Sequence, residues 1–157
     1  MLRIVAADTG ESLEIARALF VEYAGSLEFD LDFQGFDDEL AGMPGAFGPP
    51  DGRLLVAYCK ERAAGCVALR KLEKSICEMK RLYVRPQFRG LRVGRALAED
   101  VIETARRIGY TRMRLDTVPS MARAAALYQT LGFKAISPYC HNPIPGTSFL
   151  ELDLSPR

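Results

Sequence analysis

Four arginines and two glycines fall within eleven residues, Arg85-Pro-Gln-Phe-Arg-Gly-Leu-Arg-Val-Gly-Arg95, directly after the strand-like run Arg81-Leu-Tyr-Val84. A strand stopped at Pro86, a basic turn and an immediate helix start together make an anion site. The first helical turn leaves backbone N–H groups unpaired, and the helix dipole adds positive charge there. Gly90 and Gly94 lack a Cβ, so a phosphate can approach the backbone. Arg85, Arg89, Arg92 and Arg95 suit a ligand with several phosphates. The competing reading is an ordinary strand–helix connection with solvated arginines. No Gly-x4-Gly-Lys-Ser/Thr run exists, and Arg89-Gly90-Leu91-Arg92-Val93-Gly94 lacks one glycine of the dinucleotide pattern.

Other chemistry is sparser. Glu78 is a lone acid in the strand Ile76-Cys-Glu-Met-Lys-Arg-Leu-Tyr-Val84, where burial is costly unless it is paired. It can serve as a base, or as a salt-bridge partner of Lys80 or of an arginine on a neighbouring strand. Cys140 precedes the chain's one histidine, His141, but nucleophile and base normally meet across a fold rather than in sequence. With no Cys-x-x-Cys pair among Cys59, Cys66, Cys77 and Cys140, no metal site is expected. In Ala124-Ala-Ala-Leu-Tyr-Gln-Thr-Leu-Gly-Phe133, Leu127 and Leu131 share a helical face and Gly132 provides a left-handed stop. Alone, Tyr128 reads there as a packed aromatic with its hydroxyl at the rim.

The elements that must position these residues read in order. A strand over Arg3–Ala7 precedes a helix capped by Thr9 or Ser12 and ended by Gly25. Leu27–Leu31 is extended or a helical turn, Gln34–Met43 is a short helix, and a Pro/Gly-rich loop runs to Gly52. Arg53–Cys59 and Ala63–Leu69 form a hairpin, and Ser75–Val84 is a third strand after the turn Lys71–Lys74. Val93, Leu97, Val101, Ala105 and Ile108 form one stripe of a helix capped by Gly109. Met113–Val118, a helix over Ser120–Leu131, Phe133–Ile136 and Ser148–Leu154 complete an α/β (α+β) chain with a mixed sheet and helices on both faces. Strict alternation puts Glu78, Lys80, Leu82 and Val84 on one face, a conflict that a β-bulge would resolve.

At 157 residues the chain reads as one domain, large enough to bury a core without staples. No apolar run approaches the ~20 residues that span a bilayer, and the start is too short and acidic for a signal peptide, so a cytoplasmic protein without membrane partners is expected. The net charge of +1 hides a division: residues 1–51 carry eleven acidic and two basic side chains, the remainder nine and nineteen. The basic part holds the phosphate loop, leaving the acidic part to attract a cation or simply to be solvated.

The loop after Leu-Tyr-Val-Arg-Pro and the late Leu-Tyr-x-x-Leu-Gly-Phe segment resemble those of the GNAT-type N-acetyltransferases, in the family's order and about forty residues apart. The resemblance covers roughly Arg53 to Leu154. One position departs: Arg92 stands where the family's loop, Arg/Gln-x-x-Gly-x-Gly/Ala, usually has its first glycine. The resemblance implies a mostly antiparallel central sheet splayed between its fourth and fifth strands, here Ser75–Val84 and Met113–Val118. It implies that acetyl-coenzyme A lies in that cleft, its pantetheine arm along Leu82, Tyr83 and Val84 and its pyrophosphate on Arg89, Gly90, Leu91, Arg92, Val93, Gly94 and Arg95. It makes Glu78 the general base, directly or through water, and Tyr128 the acid at the sulfur. The residue seven before that tyrosine, often Asn in the family, is Met121 here, so its task falls to another group such as Ser120 or is absent.

The implied activity is direct acetyl transfer to a primary amine in a ternary complex. The acceptor pocket would come from the acidic first third and the loop Pro138–Gly146. Glu22, Glu28, Asp30, Asp32, Asp37, Asp38 and Glu39 favour a cationic small-molecule or peptide amine, and Phe29, Phe33, Phe36 and Tyr139 line the pocket or belong to the core. A homodimer is left open. The alternative is an acyl-coenzyme A sensor without turnover. A nucleic-acid module using the basic stretch Lys80–Arg95 ranks last, because no stacking aromatics accompany it.

Overall fold

The computed structural model describes residues 2–27, 30, 31 and 35–155. One seven-stranded sheet runs through it, in the order β1-β2-β3-β4-β5-β7-β6. The strands are β1 (Leu2–Ala6), β2 (Arg53–Cys59), β3 (Arg62–Glu73), β4 (Ile76–Val84), β5 (Arg112–Thr117), β6 (Lys134–Ile136) and β7 (Ser148–Asp153). Every neighbouring pair is antiparallel except β4–β5. That parallel pair needs a crossover, which is α3 (Val93–Ile108). The mostly antiparallel mixed sheet and its helices follow the expected fold class.

Helices cover both faces. On one, α1 (Gly10–Gly25) and α2 (Phe36–Ala41) bury Ala16, Leu19, Phe20 and Phe36 against Leu54, Val56, Cys66 and Ala68. On the other, α3 and α4 (Ala122–Thr130) pack Val93, Leu97, Val101 and Tyr128 against Leu55, Val67, Met79 and Met113. The stripe of α3 lies as its spacing predicts, with Arg106 and Arg107 complementing the C-terminal dipole and Gly109 (φ 112°) closing the helix.

Several boundaries differ from the sequence reading. β3 continues through Lys71–Glu73, and the hairpin turns at Lys74–Ser75 instead, with Ser75 at φ 64°. Lys71 pairs with Cys77 and Glu73 with Ile76, so strand pairing outweighs the turn character of Lys71–Lys74. Thr9 is the N-cap of α1 but makes no side-chain cap, while Ser12 Oγ meets the Tyr58 hydroxyl at 3.1 Å. α4 starts at Ala122 because Val118–Met121 closes a turn first. Gln34 and part of Leu27–Leu31 lie outside the described residues.

Candidate active site

The parallel pair β4–β5 is joined only at Ile76–Arg112, Cys77–Met113 and Glu78–Arg114. Beyond Glu78 the two strands part, and the β4 edge from Lys80 to Val84 has no strand partner on that side among the described residues. Divergence is accompanied by a bulge in β4. Cys66 pairs with Tyr83 and Ala68 with Lys80, so Val67 is faced by two residues, Arg81 and Leu82. Arg81 takes up the extra residue at φ 59°. The side-chain conflict is thereby resolved: Cys77, Met79, Leu82 and Val84 pack towards α3, while Tyr83 packs towards α1.

Arg81 is only 4% exposed, and its guanidinium donates to both Glu39 oxygens at 2.9 Å while lying over the Phe36 ring. A buried cation paired in this way ties α2 to the bulge.

The cleft that opens between β4, α3 and α4 has a volume of about 830 Å³. Leu82 and Val84 form one wall, Ser120, Met121, Ala124 and Leu127 the opposite wall, and Arg89, Gly90, Arg92, Val93 and Gly94 the end. The N-cap of α3 is Arg92, which gives no side-chain cap, so the first-turn N–H groups of Val93, Gly94 and Arg95 have no intrahelical acceptor. They stand as unpaired donors in front of the positive pole of a sixteen-residue helix. Gly90 adopts φ 86°, which favours glycine. Arg92 also lies in the left-handed region, at φ 61°, where its Cβ is disfavoured.

A smaller recess of about 50 Å³ sits at the apex, where the strands separate. Its walls include Lys80, Arg81, Asp116, Thr117, Met121, Tyr128 and Asn142. The Tyr128 hydroxyl makes no hydrogen bond among the described residues and faces this recess from α4, which Phe133 steadies by packing its ring 5.6 Å from that of Tyr128. Burial pushes the Tyr128 phenol well above its ordinary range, so it stays protonated and able to donate. Burial pushes Lys80 the other way, lowering its pKa.

Polar and ionic contacts flank the recess and the β4 strand. Arg70, directly opposite Glu78 in β3, donates to its Oε1 at 2.7 Å, and the Tyr139 hydroxyl donates to Oε2 at 2.7 Å. Asp116 accepts from Asn142 Nδ2 at 3.0 Å. Glu22 accepts from Arg85 at 2.6 and 3.0 Å, and these hydrogen bonds lower its pKa.

A family model for acetyltransferases of the GNAT type matches residues 13–133. The chain belongs to that family. An uncharacterized N-acetyltransferase of Schizosaccharomyces pombe is 41% identical over 156 residues, covering 98% of this acetyltransferase and 96% of its own length. Among solved structures, a GNAT-family acetyltransferase of Staphylococcus aureus superposes with a TM-score of 0.78 at 19% identity, covering 99% of this chain and all of its own. A Salmonella typhimurium chain solved with its cofactor acetyl-CoA has a TM-score of 0.72 at 20% identity, covering 99% and 95%.

In this acetyltransferase the structure gathers most of the residues singled out from the sequence. Leu82, Tyr83, Val84, Arg89, Gly90, Arg92, Val93 and Gly94 border the cleft, and Tyr128 borders the apical recess. Leu91 and Arg95 lie outside the cleft lining: Leu91 is 61% exposed, and Arg95 reaches Thr130 Oγ1 at 3.1 Å. Arg85 does not join the basic loop. The helical turn Pro86–Phe88 separates it from Arg89, and it faces α1 and Glu22. Glu78 is 2% exposed and does not line the recess; it occupies the arginine pair that the sequence left open as its second reading.

Of the acidic residues expected to draw a cation, Glu22 and Glu39 are engaged with Arg85 and Arg81; of the aromatics, Phe36 is core. Glu28, Phe29, Asp32 and Phe33 lie outside the described residues. Sequence reasoning passed over Asp116 and Asn142. The available signal was the one acid in the run Met113–Val118, just before the turn into the Tyr128 helix.

Proposed function

We propose that this chain transfers an acetyl group from acetyl-coenzyme A to a primary amine by direct attack in a ternary complex. The observation that carries the reading is the Tyr128 hydroxyl, unpartnered among the described residues, at the apex of a cleft whose far end is a helix N-terminus without a side-chain cap. The acetyl thioester supplies the activated acyl group. The residues present fit that cosubstrate: N–H groups of Val93, Gly94 and Arg95 for its pyrophosphate, with Arg89 and Arg92 beside them, and the open β4 edge for its amide-bearing arm.

Transfer needs a deprotonated amine, a polarised carbonyl and an acid for the leaving thiolate. Tyr128 is the acid in this reading, and holding amine and thioester in register supplies much of the rest. Glu78, closed in by Arg70 and Tyr139, acts as a positioning residue for the Tyr139 loop.

Gly94→Val tests the cofactor placement. The added Cβ would meet only Val84 Cγ2 at 3.5 Å, an ordinary contact, so the fold should survive. The branched side chain should nevertheless obstruct the backbone donors. Calorimetry should show acetyl-coenzyme A binding to the wild type and a loss of at least tenfold in the variant; equal affinity refutes the placement. Thiol release across an amine panel separates an enzyme from a sensor, which would bind and not turn over.

A further inference from the structure

The apical recess joins three polar side chains whose hydrogen-bonding capacity the fold leaves incompletely used. Asp116 sits on β5 two residues past Arg114, the last position at which β4 and β5 pair, and so stands at the opening of the cleft. Its Oδ2 accepts from Asn142 Nδ2 at 3.0 Å and faces Cys140 Sγ at 3.9 Å, while Oδ1 accepts no hydrogen bond among the described residues. Among the described residues, Thr117 Oγ1 next to it in β5 is buried without a hydrogen-bond partner, and the Tyr128 hydroxyl on the same recess likewise makes none. An orphaned buried polar atom costs stability unless a ligand satisfies it. Glu78, by contrast, has a short hydrogen bond on each oxygen and is absent from the recess wall.

We propose that Asp116, aimed by Asn142, is the catalytic carboxylate that meets the acceptor amine. The assignment rests on the acetyltransferase reading above and adds the residue that receives the proton. Asp116 takes one proton from the bound ammonium, and the freed lone pair on nitrogen attacks the thioester carbonyl. As the C–N bond forms and the C–S bond breaks, the departing sulfur takes the Tyr128 phenolic proton. The new amide nitrogen then sheds its surplus proton to the tyrosinate, and Asp116 releases its own to solvent. One acetyl group moves, and one proton is released overall. Among the described residues, Lys80 and Arg81 from β4, Tyr23 from α1, Tyr128 from α4, and Tyr139 and Cys140 from the loop after β6 are the titratable and charged groups around Asp116. Lys80 and Arg81 are the cations of that set.

The test is thiol release from acetyl-coenzyme A, measured against pH with two probe amines. Propylamine is protonated near neutral pH, whereas methoxyamine is already neutral there. Asp116→Asn should slow transfer to propylamine by about 10²–10⁴-fold near pH 7, with partial recovery as pH rises. Methoxyamine transfer should change far less, and coenzyme A affinity by calorimetry should hold. Asn142→Ala should show a smaller loss with the same pH signature, and Asp116→Glu should restore part of the rate. Wild-type rates for Asp116→Asn with both amines, or an equal loss with both, overturn the assignment. A wild type that fails to bind acetyl-coenzyme A overturns the acetyltransferase reading itself, and Asp116 with it.

Discussion

Arg81 and Glu39 meet in a bidentate pair, each contact 2.9 Å, that joins a bulge in the middle of the sheet to a helix 42 residues earlier in the chain. The guanidinium is held at a residue with φ 59°, where an L-residue sits at a cost. The pair thus helps to fix the local geometry that separates β4 from β5 and opens the cleft.

Glu39→Ala should therefore do more than remove a surface charge. Arg81 would remain buried over Phe36 and Tyr23 with this bidentate contact gone, and stability should fall. Urea unfolding measures it, and a midpoint matching the wild type would show that the pair contributes nothing net. Coenzyme A affinity should fall as well, because the β4 edge is set by the same bulge.

Arg92→Gly should stabilise the protein. Arg92 caps α3 at φ 61° without a side-chain hydrogen bond to the helix, so glycine there removes strain at little loss of contact. A gain of about 1 kcal/mol is expected in thermal or chemical unfolding, less whatever the more flexible glycine adds to unfolded-state entropy. Unchanged or lower stability would mean that the arginine makes up for its own backbone.

How far the site was readable follows from which residues act locally. The β4–loop–α3 passage and the Tyr128–Phe133 helix end are written in glycine, proline and apolar spacing, all of which work within a few residues. Arg81 is different. Its bulge exists only because Val67 on the neighbouring strand faces two residues, a fact of register that no single strand reveals. Asp116 likewise acquires its meaning from the point where β4 and β5 stop pairing, and Asn142 from a loop that returns to it 26 residues later. Arg85 belongs with the basic loop by sequence alone. The turn at Pro86–Phe88 sends it to the opposite face.

Cys140 should not carry the acetyl group. Partial burial and the nearby Asp116 raise its thiol to about 11, so the thiolate is scarce at neutral pH and becomes abundant only as pH approaches that value. Alkylation by iodoacetamide should accordingly be slow near pH 7 and accelerate with rising pH. After incubation with acetyl-coenzyme A alone, intact mass should show no stable acetyl gain. A gain that disappears in Cys140→Ala would replace direct transfer by a two-step route.

Tyr128→Phe and Glu78→Gln should part company in their pH–rate profiles. The Tyr128 phenol is held protonated through the neutral range by burial, so its removal takes away the same proton at every working pH. The variant should slow transfer by about 10²–10⁴-fold with the profile's shape retained and coenzyme A affinity little changed. Glu78→Gln replaces a charged acceptor by a neutral one between Arg70 and Tyr139. It should lower unfolding stability by about 1–3 kcal/mol and reduce the rate modestly. Because Glu78 stands outside the recess, that rate should not recover as the amine deprotonates with rising pH. Recovery in Glu78→Gln, together with a flat response in Asp116→Asn, would return the base to β4 and leave Asp116 as an anchor for the Asn142 loop.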